Sequence, residues 1–267
     1  MVYFVATPIG NLKDITLRAL DTLRGADVIF CEDTRHTLKL LNAYEIKKPL
    51  LSCHKFNEKE AAEKIVALSK EGKEVAIVSD AGTPVVSDPG NAVCKVLREN
   101  QVAYTVIPGA CACISALVLS ALDGGRFTFV GFLPEKAGEK KEVLKQFATL
   151  QTTLIFHSAP QDIDKDVKAT YEVFGDRRAC AVREITKIHE ESVPFMLATG
   201  LEGEKRGEYV LVVEGAQQEE NALNALSEVE HIKAYMAQGY DKKEALKLAA
   251  KDRGVSESTL YPFAIDL

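Results

Sequence analysis

The feature that most constrains this chain is the alternation, over its first 110 or so residues, of short apolar runs with amphipathic helical stretches. Val2 to Thr7 is an apolar run that stops at the sharp turn Pro8-Ile9-Gly10-Asn11. Leu17, Leu20 and Leu23 then recur at helical spacing behind a Thr16 cap. Val28 to Cys31 reads as a short buried strand, followed by a helical pattern through Leu38 and Leu41. Asn57 with Glu60 has the form of a capping box ahead of Ala61, Ala62, Ile65 and Leu68. Glu74 to Ser79 is a further strand, ending at Asp80-Ala81-Gly82-Thr83-Pro84. A helix over Ala92 to Arg98, a strand at Ala103 to Ile107 and a turn at Pro108-Gly109 complete the series. Short apolar strands joined by amphipathic helices build a mostly parallel sheet with helices on both faces, a doubly wound α/β domain.

After Gly124-Gly125 the pattern restarts. It runs through Phe127 to Leu133, a basic helix near Lys140 to Leu150, a strand at Thr152 to Phe156 and a helix to Phe174. Strands at Ala179 to Arg183 and Glu208 to Glu214 follow, with a Gly-rich hinge between them. This is a second α/β or α+β unit, and the boundary falls near 116–124. The expected organisation is an α/β fold of two α/β domains, 1–118 and 119–217, and a small helical tail, 222–267. The polar, aperiodic stretch Gln217 to Asn221 is the linker, and the Gly254-Val255-Ser256 step resembles a helix-turn-helix corner. A length of 267 residues with 46% hydrophobic and 27% charged residues suits a folded chain and argues against disorder. No apolar run approaches the roughly eighteen residues of a membrane span. The amino terminus reads as a core strand, not a signal peptide, so the expectation is a cytoplasmic protein without membrane contact. The six cysteines include no C-x2-C pair and read as buried thiols; the five histidines are scattered, and no metal is expected.

Three turns lie at the carboxyl ends of expected parallel strands: Thr7 to Asn11, Ser79 to Pro84, and Ile107 to Ala110. Ligands of open α/β sheets bind just outside those ends. None of the turns matches a dinucleotide or phosphate-loop fingerprint, so a ligand held by backbone and apolar walls fits better than a triphosphate. Taken singly, each could be only a tight turn. Ser87-Asp88-Pro89-Gly90 reads as the N-cap of the next helix. Cys31-Glu32-Asp33-Thr34-Arg35 sets two acids and a guanidinium at another strand end, and Ser52 to Glu58 sets a second polar cluster at the next. Adjacent carboxylates beside an arginine can shift one another and deprotonate a hydroxyl. Equally, Asp33 and Asn57 can cap helices, and His54 can be an ordinary satisfied side chain.

Several stretches stand together in order: Thr7-Pro8-Ile9-Gly10-Asn11-Leu12 with Thr16-Leu17-Arg18, Glu32-Asp33-Thr34-Arg35, and Ser79 to Pro84 with Ser87 to Gly90. Pro108 to Ala112, Phe129 to Pro134 and Arg183-Glu184-x-Thr186-Lys187 follow. The set resembles the bacterial small-subunit rRNA cytidine 2′-O-methyltransferase family, of the tetrapyrrole-methylase-like fold group, over about residues 1–215. The resemblance implies S-adenosylmethionine in a cleft between two α/β domains, and a homodimer. It implies that Pro8, Asp80, Ala81, Gly82, Thr83, Pro84, Pro108, Gly109, Ala110, Phe132, Leu133 and Pro134 line the cofactor pocket. The acceptor it implies is 16S rRNA in the small ribosomal subunit. Glu32 and Asp33 are then the carboxylates that orient or deprotonate the hydroxyl, Arg35 steers a phosphate, and His54 and Asn57 are second choices. One departure is His157-Ser158-Ala159-Pro160-Gln161, where that family usually has Glu-Ser-Pro-His-Arg. The net charge of −6 gives no broad basic footprint. The RNA rim is therefore expected from Arg35, Lys39, Lys47, Lys48, Lys140 and Lys141, with the tail lysines adding a grip. Two other readings stay open: a relative acting on a small, tetrapyrrole-like acceptor, and a ribosome-binding factor that transfers nothing.

Overall fold

Segments Val28–Cys31 and Val75–Val78 are buried at every residue, so neither has a side that could face water. Such strands belong in the middle of a sheet covered on both faces. In the computed structural model, which describes residues 1–88, 90–217, 222–265 and 267, they do. The strands β1 (Val2–Val5), β2 (Val28–Cys31), β3 (Leu50–Ser52), β4 (Val75–Val78) and β5 (Tyr104–Ile107) form an all-parallel sheet in the order β3-β2-β4-β1-β5. Helices α1 (Leu17–Gly25), α2 (Thr34–Ala43), α3 (Glu58–Lys70) and α4 (Asn91–Glu99) make the crossovers. Strand periodicity sends Val2, Phe4, Phe30 and Ile77 to one face, against Ala62, Ile65, Val93 and Leu97 of α3 and α4. It sends Val5, Ile29, Cys31 and Val78 to the other, against Leu23 and Leu41 of α1 and α2. Each fully buried large side chain contributes about 1.5–3 kcal/mol.

The local expectations fare unevenly. Thr16 caps α1, accepting from the Ala19 amide. Leu17 and Leu38, read from spacing as core, are instead largely exposed; the inward positions are Ala19 and Leu23 in α1, and Thr37 and Leu41 in α2. The Asn57–Glu60 capping box does not form. Asn57 accepts from the His54 amide and donates to Ser52, turning back to the loop it left. The N-cap of α4 falls within the expected stretch Ser87 to Gly90, but without a side-chain cap bond. Gly90 is the cap residue, and Glu58 of α3 accepts from the amides of both Gly90 and Ala92. A carboxylate from the neighbouring helix does what local residues were expected to do. Pro89 of that turn lies outside the described residues.

Helix α5 (Ala112–Ser120) spans position 118, where the sequence suggested a boundary. It lies against a second sheet of β6 (Phe127–Phe132), β7 (Thr153–Ser158), β8 (Arg178–Arg183), β9 (Glu191–Met196) and β10 (Tyr209–Val213), ordered β6-β7-β10-β8-β9. Only β6 and β7 pair in parallel; the remaining pairings are antiparallel. Strand β9 lies in the stretch read as a Gly-rich hinge. Its residues alternate between exposed and half-buried on a sheet edge, with Pro194 inside, so no apolar run announces it. Helices α6 (Ala137–Lys145) and α7 (Ile163–Phe174) cover one face through Leu144, Ile163 and Val167. On the other face Cys113, Ala116 and Leu117 of α5 pack against Ile155, Cys180, Val182 and Val210.

All of this is one unit, Met1–Ala216. The other, Gln217–Leu267, holds α8 (Glu228–Ala237), α9 (Lys242–Asp252) and α10 (Glu257–Ala264) around Ile232, Ala245, Ala249 and Leu260. Ser227 and Glu230 complete a capping box on α8, and Gly254 sits in the turn between α9 and α10. Four of the five residues read as linker, 218–221, lie outside the described residues. Among the described residues no helix is long and apolar enough to cross a membrane.

Candidate active site

Parallel pairing brings the carboxyl ends of β1, β2 and β4 side by side, so the turns that leave them are neighbours. The Thr7 amide donates to the Gly82 carbonyl at 2.9 Å, and the Gly82 amide returns the bond at 3.1 Å. The β1 and β4 turns are thereby strapped together. Thr83 Oγ1 donates to the Ala110 carbonyl, adding the turn after β5. Across from them, Gly10 lies so close to the loop after β8 that a Cβ would sit 2.6 Å from Lys187 Cγ and 2.9 Å from the Ile185 carbonyl oxygen. In β6 the register shifts between Phe129 and Gly131, and Gly131 takes φ +81°. A bulge of this kind re-aims the next side chain, here Phe132.

These turns and the ends of β6, β7 and β10 enclose a cavity of about 550 Å³. Of the residues expected around a cofactor, Asp80, Ala81, Gly82, Thr83 and Phe132 line it. Pro8, Pro84, Pro108, Gly109, Ala110, Leu133 and Pro134 do not, although Ile9 stands where Pro8 was expected and Ala110 is tied to Thr83. The sequence reading missed Ser87, Asp88 and Cys111 as lining groups, and the whole loop His157 to Gln161, together with Glu208. The last of these belong to the second, mixed sheet: His157 to Gln161 lie at the end of β7, parallel to β6 but antiparallel to β10, and Glu208 precedes β10, so the rule for open parallel sheets was no guide to them. For that wall the signals available were Phe132, which the resemblance implied, and the departure at His157.

The two adjacent carboxylates part company. Asp33 is the N-cap of α2; its Oδ1 accepts from the Arg35 amide at 2.8 Å, and its Oδ2 pairs with the Arg35 guanidinium at 2.7 Å. Those bonds hold its carboxyl down to about 2. Neither Asp33 nor the exposed Arg35 lines the cavity. Glu32 does, beside Asp80 and Asp88. Burial first, then the charges of Asp80 and Asp88, push the Glu32 carboxyl above its ordinary value, with His54 pulling the other way. Asp88 is raised as well, by burial foremost and then by Asp80, against a hydrogen bond from Ser79. Asp80 accepts from the Asp33 amide at 3.1 Å, fixing the turn that carries Glu32. His54 stays outside the lining residues, its Nδ1 buried with no hydrogen-bond partner among the described residues.

On the opposite wall the His157 ring meets Phe129 and Phe132 edge-on, with centroids 5.1 and 5.2 Å apart. Burial lowers its pKa against the pull of Glu208, so the ring is neutral near pH 7, and its buried Nε2 has no protein partner among the described residues. The wall behind is braced by a buried charge. Ser158 Oγ donates to Asp166 Oδ2 at 2.5 Å, and Asp166 pairs through Oδ1 with Lys140. Lys140 is therefore no part of an exposed basic rim: it is 3% exposed. Lys141 is occupied too, with Glu172 at 2.6 Å. Among the described residues the cavity lining contains no Lys or Arg, and no His, Cys, Asp or Glu cluster is placed to hold a metal ion.

Residues 1–201 match the family model described as tetrapyrrole (corrin/porphyrin) methylases. The chain is 40% identical to the ribosomal RNA small subunit methyltransferase I of Bacillus subtilis (strain 168), over 98% of this chain and 92% of that protein. It is 39% identical to the protein of the same name from Escherichia coli O157:H7, over 99% of this chain and 94% of that one. Among solved structures it is similar in fold to diphthine synthase, at a TM-score of 0.62 and 16% identity over 80% of this chain and 89% of that one. It is similar also to uroporphyrin-III C-methyl transferase from Thermus thermophilus complexed with S-adenyl homocysteine, at 0.58 and 20% over 80% of this chain and 96% of that one. The nested turns, the bulged β6 and the near-full-length likeness agree: the chain belongs to the tetrapyrrole (corrin/porphyrin) methylase family, in its ribosomal RNA small subunit methyltransferase I branch.

Proposed function

We propose that this protein transfers a methyl group from S-adenosylmethionine to the ribose 2′-hydroxyl of a cytidine in 16S rRNA of the small ribosomal subunit. The observation that carries the reading is the charge of the cavity: Glu32, Asp80, Asp88 and Glu208 line it, with no Lys or Arg among the described residues. A ligand bearing phosphates would meet repulsion on every side, whereas a sulfonium cation suits such walls. Ile9 and Phe132 supply apolar surface, and the turn Asp80 to Thr83 supplies backbone edges, so the residues present fit this cofactor. When bound, S-adenosylmethionine supplies an electrophilic methyl group on a positively charged sulfur.

The chain's own work is orientation and proton removal. A ribose hydroxyl is a weak nucleophile until its proton is taken or shared. Glu32, whose carboxyl is raised above its ordinary value by burial and whose turn is fixed by the Asp80–Asp33 bond, is the group in the cavity suited to accept that proton. Asp33, held ionised by Arg35, is a far weaker base and keeps the helix capped. Lys39, exposed on α2, is available to phosphates outside the cavity, and Arg35, also exposed, can meet one beyond its pair with Asp33. The protein acts as a homodimer in the cytoplasm. In support of a second copy, Ile114 and Val118 lie one turn apart on the outer side of α5, 44% and 76% exposed, where a monomer would leave apolar side chains in water.

The test is titration of S-adenosylmethionine into the protein, then transfer of labelled methyl to unmethylated small subunits and to naked rRNA. Transfer to the subunit through an alkali-resistant ribose linkage is expected. Cofactor binding without transfer to either RNA form would overturn the acceptor, and no cofactor binding would overturn the reading as a whole.

A further inference from the structure

Cys111 and Cys113 both line the cavity, with their sulfurs 3.4 Å apart. They are two residues apart in sequence, Cys111 as the N-cap of α5 and Cys113 within its first turn. Of the six free cysteines, Cys31, Cys53, Cys113 and Cys180 are buried, and burial pushes up the thiols of Cys31, Cys53, Cys180 and the half-buried Cys94. Cys111 goes the other way. The Cys113 thiol and the amides of Ile114 and Cys113 at the helix end stabilise its thiolate, bringing it down to about 6, while Cys113 is raised and keeps its proton. A low thiol beside a protonated partner in an open cavity is the pairing of an attacking and a resolving cysteine.

We propose that Cys111 and Cys113 form a peroxide-reactive dithiol site in the cavity wall, and that its closure to a disulfide withdraws the cavity from S-adenosylmethionine. The Cys111 thiolate attacks one oxygen of hydrogen peroxide; the O–O bond breaks, hydroxide leaves, and Cys111 becomes a sulfenic acid. The Cys113 sulfur then displaces that hydroxyl. The S–S bond forms as the S–O bond breaks, and the Cys113 proton leaves with the hydroxide as water. Two electrons pass from the two sulfurs to the peroxide; the first hydroxide takes back from solvent the proton that Cys111 lost on ionising, so both oxygens end as water. The sulfurs must close from contact to the ~2.05 Å of a disulfide, which pulls on the Ala110–Cys111 peptide. The Ala110 carbonyl holds Thr83, so the cavity wall moves with it. The gating step rests on the cofactor reading above; the thiol chemistry does not.

Two readouts separate these. Tryptic peptide 99–126 carries both thiols and no other cysteine. After peroxide and alkylation of the whole protein, that peptide is expected to be about 2 Da lighter than its reduced form and free of alkyl label. Cys113→Ser should stop at a Cys111 sulfenic acid that dimedone traps. Titration of S-adenosylhomocysteine should give an affinity at least roughly tenfold weaker after oxidation, restored by a phosphine reductant. Full alkylation of both thiols after peroxide overturns the site, whatever the cofactor does. A disulfide with unchanged affinity overturns the gating, and reduced protein that binds no S-adenosylhomocysteine overturns the cofactor reading and the gating with it.

Discussion

Replacing Lys140 with Met tests whether the buried charge or an RNA rim explains this lysine. The side chains of Lys140 and Asp166 are 3% and 4% exposed, and the carboxylate's other oxygen is taken by Ser158. Lys140→Met removes the cation and leaves an anion in a dry site with one hydroxyl for company. Breaking a buried pair in this way costs about 3–5 kcal/mol. For a unit the size of Met1–Ala216, each kcal/mol lowers the melting temperature by about 2–4 °C, so a fall on the order of 10 °C is expected. The double variant Lys140→Met/Asp166→Asn removes both charges, keeps an acceptor for Ser158, and should recover most of that loss. Thermal unfolding by circular dichroism reads all three proteins, and RNA binding against salt is measured beside it. An unchanged melting temperature in Lys140→Met, with a salt slope shallower by about one, would refute the argument and return Lys140 to the rim.

Glu32→Gln should lower turnover by about 10²–10⁴-fold, the usual range for a lost general base, while cofactor affinity by titration falls far less, since Asp80, Asp88 and Glu208 still line the cavity. Because the native carboxyl is raised, folding favours its protonated form, and wild type loses stability as pH climbs from the ordinary 4.5 through the native value. The variant should therefore match wild type at pH 4 and equal or exceed its stability at pH 7. A stability deficit at pH 7 would count against the electrostatic account. Gly10→Ala should cost about 1–3 kcal/mol in denaturant unfolding, since its new methyl meets the Ile185 carbonyl; a neutral result would mean that the two loops yield easily. Val118→Asp changes an exposed position and should leave the melting temperature of the monomer within a degree or two. Light scattering should then find one copy where wild type has two, and a dimeric variant would remove α5 from the interface. Arg35→Ala should flatten the salt dependence of RNA binding by about one in slope, and a change in cofactor affinity instead would contradict its place outside the cavity.

What could be read from the chain alone follows from what kinds of contact make each feature. The first sheet was legible because β1, β2 and β4 are apolar at nearly every residue, which is a property of the strands themselves. The strand-end turns were legible because glycine and proline mark them and parallel topology sends them to one edge. The cap of α4 was not, because Glu58 arrives from another helix 32 residues earlier in the chain. Lys140 looked like a surface lysine because nothing local says that Asp166, a full 26 residues on, will meet it. The edge strand β9 had no apolar run to give it away. The far wall of the cavity was the least legible part, for its residues share neither a turn signature nor a strand end with the first sheet, and only Phe132 and the break in motif at His157 to Gln161 pointed there.

Glu32 and Asp33 make the physical point most sharply, since composition and spacing treat them alike. Strand β2 ends at Cys31 and α2 begins at Thr34, so these two residues are the whole connection. In extended backbone, successive side chains point to opposite sides; Asp33, at φ −118°, turns to cap its own helix, and Glu32 turns over the edge of the sheet. Because β4 is the strand next to β2, the group already standing there is Asp80. Crowding of like charge follows from topology, and it is unfavourable for the fold. The same rim carries Val85 at φ +79° and Ser87 at φ +65°, conformations that non-glycine residues avoid at a cost of about 1–3 kcal/mol each. Repulsion and strain thus gather on one loop, whose far end is held by Glu58 through the Gly90 and Ala92 amides. A fold selected for stability alone would relieve both, for example with a glutamine at position 32 and a glycine at position 85. Their coincidence around one cavity is what a site built to hold a cation and take up a proton would require.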